Sequence, residues 1–531
     1  MNFVLQNQLK FKKLNLLIGF ILSLAGCALG PDFKKPDPPK VTSFTETPVA
    51  EKLSTAPTIG GAEQNIVIGV DIPAEWWTLY HSPELNEMIT RAIKRNPNLG
   101  AADATLRVAL ENANAQFGSL LLPSISGNAF ANRQQINSSS YGLATDGISS
   151  PGPSIYNVYN TSVNLSYTLD FFGRNRRAVE SAVAKAEIQQ FILEGTYLSL
   201  TANVVTTAIK EAATRAQYES NNEIFLAQKN LADVIEKQLE IGTASRVALS
   251  SQRALAASSK LDLLNIEKSL AFTRNQLAVY VGDFPGDSAI AKFDLSKLKL
   301  PENIPLSIPS ELVRQRPDIR AAEAYMKSTN ALVGVATANL LPQITLTSSI
   351  GSQALTTGAL FSANSAVWSI GGGLLQPIFQ GGALLAQRRG AIAQYESAVF
   401  QYQSTVLTAF QEVANALQAL DLDAQALQAA SVAERNSHAY WKIVEQQYQL
   451  GTSSYLDVLV AQNQYQKNKF ALIQAQANRF SNTAALFVAL GGGWWNRNGP
   501  AYSSSQVQVK TEDGKQNTAV SGAVNQEASK Q

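Results

Sequence analysis

No proline occurs between Pro153 and Pro285, and none between Pro377 and Pro500. Proline in a helix interior removes a backbone hydrogen bond and clashes with the preceding turn. Each interval is several times longer than an average helix of about 10–14 residues, so both leave room for very long helices. In the second, Val399, Tyr402, Val406, Ala409, Val413, Ala416 and Leu420 alternate steps of three and four, the a/d seam of coiled-coil packing. In the first, Leu231, Val234, Ile235 and Leu239 mark one helical face. A helix from about residue 174 to residue 241 would reach about 100 Å, a length that suits bridging a wide space.

Strand signals precede each interval. In "TSVNLSYTLD" (161–170), Val163, Leu165, Tyr167 and Leu169 alternate with Ser162, Asn164, Ser166, Thr168 and Asp170. The stretches 124–136, 343–350 and 366–379 have similar length, and turn-rich stretches 137–154 and 351–366 join each pair. Segments of about 10 residues fit strands crossing a membrane at a tilt; a soluble sheet with one wet face is the alternative. Four membrane strands would leave open edges, which lipid does not tolerate. Three copies would supply twelve strands, an even number within the range of outer-membrane barrels.

The two halves repeat. "LLPSIS" (121–126) matches "LLPQIT" (340–345), and Pro97 matches Pro317. Gly242-Thr243 matches Gly451-Thr452, and "LAVYVG" (277–282) matches "LFVALG" (486–491), both at an offset of 209. Self-similarity of this kind organises the fold. The expected division is a signal peptide (1–26), an extended tether (27–75), a first repeat (76–284), a linker (285–315), a second repeat (316–493) and a C-terminal segment with a polar, disordered tail (494–531).

Composition narrows the function. Charged residues are 16% and the net charge is +2, so there is no field to attract nucleic acid. One cysteine and two histidines argue against a structural zinc site. No Walker loop, GxSxG, HExxH or cysteine pair is present, so neither an enzyme nor a cofactor or metal site is expected. Lys10, Lys12 and Lys13 precede the short apolar run 14–24, a secretory signal. Leu24-Ala25-Gly26-Cys27 resembles the bacterial lipobox, which implies a lipid such as palmitate on Cys27 and a stable anchor when several chains are attached.

Several motifs in order resemble the TolC-like outer membrane efflux proteins, in particular their NodT-type lipoprotein branch. They are the lipobox with "GPDFKKPDPP" (30–39), "EWWTLYHSPELNEMITRAIKRNPNLG" (75–100), "YTLDFFGR" (167–174), "RQRPDIRAAEA" (314–324), "LLPQITL" (340–346), "QPIFQGG" (376–382), "YQLG" (448–451) and "YLDVLVAQ" (455–462). The match extends from about Cys27 to Gly493. It implies a mixed α and β membrane protein: a homotrimeric twelve-stranded β-barrel in the outer membrane of a Gram-negative bacterium, four strands per protomer, continued by a periplasmic α-helical barrel with a mixed equatorial region. It implies a passive export conduit for drugs or other small toxic compounds, closed by an iris at the helix tips. The partners would be a periplasmic adaptor and an inner-membrane pump of RND type. A type I protein-secretion conduit and a non-conducting structural lipoprotein are the alternatives.

The site residues follow from the turns and the resemblance. Gly242 and Gly451 read as helix C-caps, and Thr243, Thr452 and Ser454 as N-caps for the next helices. The resemblance makes these turns (Gly242, Thr243, Gly451, Thr452) the tips that touch the adaptor. Ser454-x-x-Asp457 fits a capping box; the resemblance instead places Asp457 at the tightest periplasmic constriction, as a threefold ring of carboxylates able to attract cations. Both roles can coexist. Many relatives carry a second acid where this chain has Val460, so Leu456 and Val460 would bracket a single acidic ring. Tyr448 matches a tyrosine that latches neighbouring helices in some relatives; its usual partners fall at Val247, Ala248 and Ser453, which lack charge. His438 reads as a helix-surface residue, and Trp76, Trp77, Trp494 and Trp495 as packing residues.

Overall fold

The computed structural model describes residues 28–46, 50–136, 154–286 and 289–497. The expected signal peptide, Cys27, most of the 137–154 connection and the polar tail from residue 498 lie outside them. The described chain runs β1 (Asn65–Ile68), α1 (Pro83–Arg95), α2 (Pro97–Leu121), β2 (Ser124–Ile136), β3 (Ser154–Leu169), α3 (Arg174–Glu240), α4 (Arg246–Val281), β4 (Asn303–Leu306), α5 (Pro309–Gln315), α6 (Pro317–Ala338), β5 (Gln343–Ala354), β6 (Ala366–Leu375), α7 (Ala383–Gln449) and α8 (Tyr455–Ala489). The proline-free intervals hold α3 and α7, each 67 residues and so about 100 Å long. Among the described residues no helix is long and apolar enough to cross a membrane.

Two compact units divide the chain, and their limits differ from the repeat boundaries. One comprises Met1–Lys35, Val108–Glu187 and Glu323–Gln401; the other Pro36–Arg107, Ile188–Ala322 and Tyr402–Gln531.

The first unit is built on an antiparallel sheet in the order β2-β3-β5-β6. Register decides its chemistry, because directly opposed residues share a face. Val163 pairs with Ile350 and Ile350 with Trp368; Leu165 pairs with Ser348 and Ser348 with Ile370; Leu169 pairs with Ile344 and Ile344 with Leu374. The opposite face carries Asn164, Ser166, Thr168, Thr345, Thr347, Ser349 and Ser369. The sheet is therefore apolar on one side and rich in hydroxyls and amides on the other, while Ile370 on the apolar side is 78% exposed. β3 and β5 run longer than the alternation alone marked, and β6 ends at Leu375 rather than 379. Pro377 cannot donate to the ladder.

The segment after residue 27 is seated in this unit. Leu29 N donates to Phe172 O (3.1 Å), Asn330 Nδ2 to Pro31 O (2.8 Å) and Arg177 to Asp32 (2.5 Å). Gly30 crosses α6 at Gly334 so closely that a Cβ on Gly30 would lie 2.5 Å from the Gly334 Cα.

The second unit holds two helical hairpins and a core of Ile72, Trp76, Tyr80, Leu85, Phe480 and Phe487, all buried. Tyr80 Oη donates to Phe480 O (2.8 Å). In α1, Ser82 caps the first turn, accepting from Leu85 N (3.3 Å), with Pro83 next and Lys94 and Arg95 in the last turn. This order suits both backbone and dipole. Buried Glu211 draws Arg215, Arg274 (3.0 Å) and Phe293 N (3.2 Å) together, fixing the inter-repeat linker on α3 and α4. Asn96 Nδ2 donates to Tyr280 O (2.9 Å), and Arg316 Nη1 to Ala489 O (2.8 Å).

The seam in α7 packs inward: Tyr402, Val406, Ala409, Val413, Ala416 and Leu420 are buried. The face assigned in α3 needs one correction. Ile235 is buried, but Val234 is exposed, because adjacent residues stand 100° apart on a helix and only one can face the hairpin partner.

The tether also departs from a free linker where it is described. β1 pairs in parallel with β4, and Leu53 and Ala56 are buried. Gln476 Nε2 donates to Thr58 Oγ1 (2.9 Å), Arg479 Nη2 donates to Ala62 O (3.1 Å), and Gly60 lies on the Phe480 ring. Burial pulls the Arg479 guanidinium pKa down, opposed by the Asp423 carboxylate. Pro-rich composition speaks for a chain without helix, but it cannot register side chains arriving from α8.

Candidate functional site

Both long hairpins turn by the same chemistry. At the first turn, Gly242 N donates to Leu239 O (3.0 Å) and Thr243 N to Gln238 O (2.8 Å). At the second, Gly451 N donates to Tyr448 O (3.0 Å) and Thr452 N to Gln447 O (2.9 Å). These 5→2 and 6→1 pairs are Schellman motifs, whose C′ residue takes left-handed backbone. Gly242 has φ 79° and Gly451 φ 73°.

Thr243 and Thr452 do not cap the following helices as expected. Each hydroxyl donates backwards, to Gln238 O (3.0 Å) and Gln447 O (3.1 Å), joining its own amide on one carbonyl at the end of the helix just finished. Capping falls to Ser245 and Ser454, whose Oγ atoms accept from Ala248 N (3.1 Å) and Asp457 N (3.2 Å). Ser245 is the residue the sequence reading missed; the offset of 209 from Ser454 points to it.

Only the second turn closes a complete capping box. Asp457 Oδ2 accepts from Ser454 Oγ (2.7 Å), Ser454 N (3.0 Å) and Ser453 Oγ (3.1 Å). The Ser454 hydroxyl, then its amide, then the Ser453 hydroxyl hold the carboxyl below the usual aspartate range. Asp457 is thus an exposed anion already oriented by its own turn. Leu456 and Val460 beside it are 66% and 55% exposed, whereas Val458 turns inward with Val444 and Ala461.

Tyr448 packs on that buried cluster, with its ring centroid 6.2 Å from Tyr455. The Tyr455 hydroxyl is buried without a hydrogen-bond partner among the described residues. Burial, aided by the neighbouring Tyr448, pushes its pKa up to about 12. Further along the hairpin, His438 lies tilted against Tyr465 (4.9 Å) and Trp441 stacks on Tyr465 (5.2 Å), with Lys442 over the indole. Trp76 and Trp77 are buried, and Trp494 donates to Gln315 O (2.6 Å). Among the described residues no group of three or more His, Cys, Asp or Glu side chains could hold a metal ion.

A chain with two long hairpins, matching Gly-Thr turns and a two-faced sheet has known counterparts. The family model for outer membrane efflux proteins matches residues 88–283 and 308–492. A probable efflux pump outer membrane protein, TtgC of Pseudomonas putida, is 28% identical over 92% of this chain and 96% of its own. The pyoverdine export outer membrane protein OpmQ of Pseudomonas aeruginosa is 29% identical, over 79% of this chain and 87% of its own. Among solved structures, the outer membrane protein VceC of Vibrio cholerae superimposes with a TM-score of 0.71 at 29% identity, covering 79% of this chain and 99% of its own. The open-state MtrE outer membrane channel of Neisseria gonorrhoeae gives 0.73 at 27%, covering 88% and 99%. With the family model spanning both halves, this chain belongs to the outer membrane efflux protein family.

Proposed function

We propose that this protein is the outer-membrane channel of a tripartite efflux pump, a passive conduit whose energy comes from an inner-membrane pump. The observation that carries the reading is the four-stranded sheet, apolar on one face and polar on the other, with β2 and β6 unpaired at its edges. Such a sheet has no stable place in lipid until its edges are satisfied. Three copies joining β6 to the next β2 would close twelve strands around a polar lumen. The paired contacts of Asn96 with Tyr280 and Arg316 with Ala489, whose acceptors lie 209 positions apart, support an internal duplication of each protomer.

The rest of the assembly is proposed on the family resemblance. Cys27 would carry the lipid anchor. The turns at Gly242, Thr243, Gly451 and Thr452 would dock the periplasmic adaptor, and the pump would be of RND type. Asp457 would serve twice, capping α8 and forming one ring of three carboxylates between rings of Leu456 and Val460 at the periplasmic closure. In each copy the Ser454 and Ser453 donors favour the charged carboxylate. Tyr448 would stabilise the closed tip by packing on Val444, Val458 and Ala461.

Planar-bilayer recording of the purified protein tests this. The expected result is channel current that rises at rest, or loses divalent-cation block, in Asp457→Ala. Absence of current from the wild-type assembly would sink the conduit; unchanged currents and cation response in the variant would leave Asp457 as a cap only.

A further inference from the structure

Helix α3 opens Arg174-Asn175-Arg176-Arg177, three cations in a first turn where the helix dipole disfavours positive charge. Two are matched by acids. Arg176 reaches Asp170 (3.3 Å), and Arg177 reaches Asp32 (2.5 Å) and Glu180 (2.8 Å). Arg174 forms no ion pair or hydrogen bond among the described residues, and its Nε is buried without an acceptor. Native structures rarely leave a buried donor unanswered.

Arg174 lines a small cleft that is open to solvent. Leu169, Phe172 and Pro342 supply apolar wall, and Thr168 and Gln343 supply polar groups. Asp170 also lines it, but its carboxylate is engaged: Oδ1 accepts from Asn175 N (2.9 Å), and Oδ2 from Arg176 N (2.8 Å) and Arg176 Nε. The backbone N–H groups of Asn175 and Arg176 are therefore already capped. The cation left for a ligand is the Arg174 side chain.

The cleft lies where β3 ends at Leu169 and β5 begins at Gln343. Leu169 is also the last member of the apolar face that carries Val163, Ile350 and Ile370, while Thr168 and Gln343 belong to the polar face, so the cleft draws on both faces at the end of the sheet. A ligand spanning both would be charged at one end and apolar at the other. We propose that this cleft binds the phosphate of an anionic glycerophospholipid on Arg174, its acyl chains running along the apolar face. The planar fork of arginine matches phosphate oxygens, and basic pockets beside membrane-spanning elements hold anionic headgroups. The inference rests on the reading of that face as lipid-facing.

The test is lipid retention. The protein is reconstituted in phosphatidylethanolamine nanodiscs containing phosphatidylglycerol, then extracted gently for native mass spectrometry. Wild type should retain phosphatidylglycerol over phosphatidylethanolamine, and Arg174→Gln should weaken that preference about tenfold, the worth of one charge-assisted contact. Arg174→Lys, which keeps the charge but loses the fork, should fall between them, and Arg435→Gln, at an exposed arginine of α7, should match wild type. Equal retention in wild type and Arg174→Gln overturns the proposal. So does displacement of the lipid by millimolar inorganic phosphate, which would mark a free-anion site. Should Arg174→Gln not fold, absence of phosphatidylglycerol preference in wild type decides against it. Failure of wild type to enter the discs at all would instead count against the membrane reading.

Discussion

Glycine serves two different purposes in this chain, and the residues around each separate them. At Gly451 a Cβ would meet nothing within 4 Å, yet φ is +73°. Gly451→Ala should therefore cost only the left-handed backbone penalty, about 1–2 kcal/mol, seen as faster hydrogen exchange confined to the tip. At Gly61 a Cβ would fall 1.9 Å from Ala56 O. Gly61→Ala should loosen the tether from α8, read as faster exchange in residues 53–64 with the tip unchanged. Asp457 makes a prediction about pH. Its folded-state pKa is depressed by the Ser454 and Ser453 donors, so the stabilisation is full above the unfolded value of about 3.9. It is lost as pH falls through the depressed value. Exchange at the Ser454 amide should accelerate across that window in wild type and show no such pH step in Asp457→Asn. A flat wild-type profile would contradict the capping box.

At the scale of elements, the α7 seam and its opposite face make a controlled comparison. Leu420 is fully buried, whereas Leu422, two positions on, is 62% exposed in the protomer. Leu420→Ala should destabilise by about 2–5 kcal/mol, measured by denaturant unfolding. Leu422→Ala should leave the protomer within about 0.5 kcal/mol, and any larger effect that tracks protein concentration would assign that face to contact between copies. Much of this was legible beforehand. The proline-free intervals and the alternating steps located α7 and its inward face, because helical periodicity is written into residue spacing. Val234 was misplaced because periodicity picks a direction only to within the angle between neighbours, and the hairpin partner chooses between them. Thr243 and Thr452 were misassigned because a turn threonine can satisfy the helix on either side, and only the path of the backbone decides which.

For the whole molecule, the sheet is the part whose meaning depends on surroundings. Ile370 and Ser349 lie on opposite faces; in a single copy β6 is exposed throughout and β5 is half-buried along most of its length. If the apolar face meets lipid, Ile370→Arg should cost about 2–4 kcal/mol near the bilayer midplane and lower the yield of folded, heat-resistant assembly. Ser349→Arg on the polar face should fold normally and shift single-channel conductance. Equal yields would argue against the assigned faces.

The sequence by itself determined the long helices, the strand alternation, the duplicated turns and the membership they imply, since each is a matter of local spacing or backbone preference. Only the tertiary structure decided that the stretch before β1 is pinned to α8 by Gln476 and Arg479, that Ser245 rather than Thr243 caps α4, and that Arg174, of three neighbouring arginines, is the one with no acid among the described residues. Those outcomes depend on which side chains meet across hundreds of residues, and charge pairing, burial and hydrogen-bond direction acquire values only once the chain has brought them together.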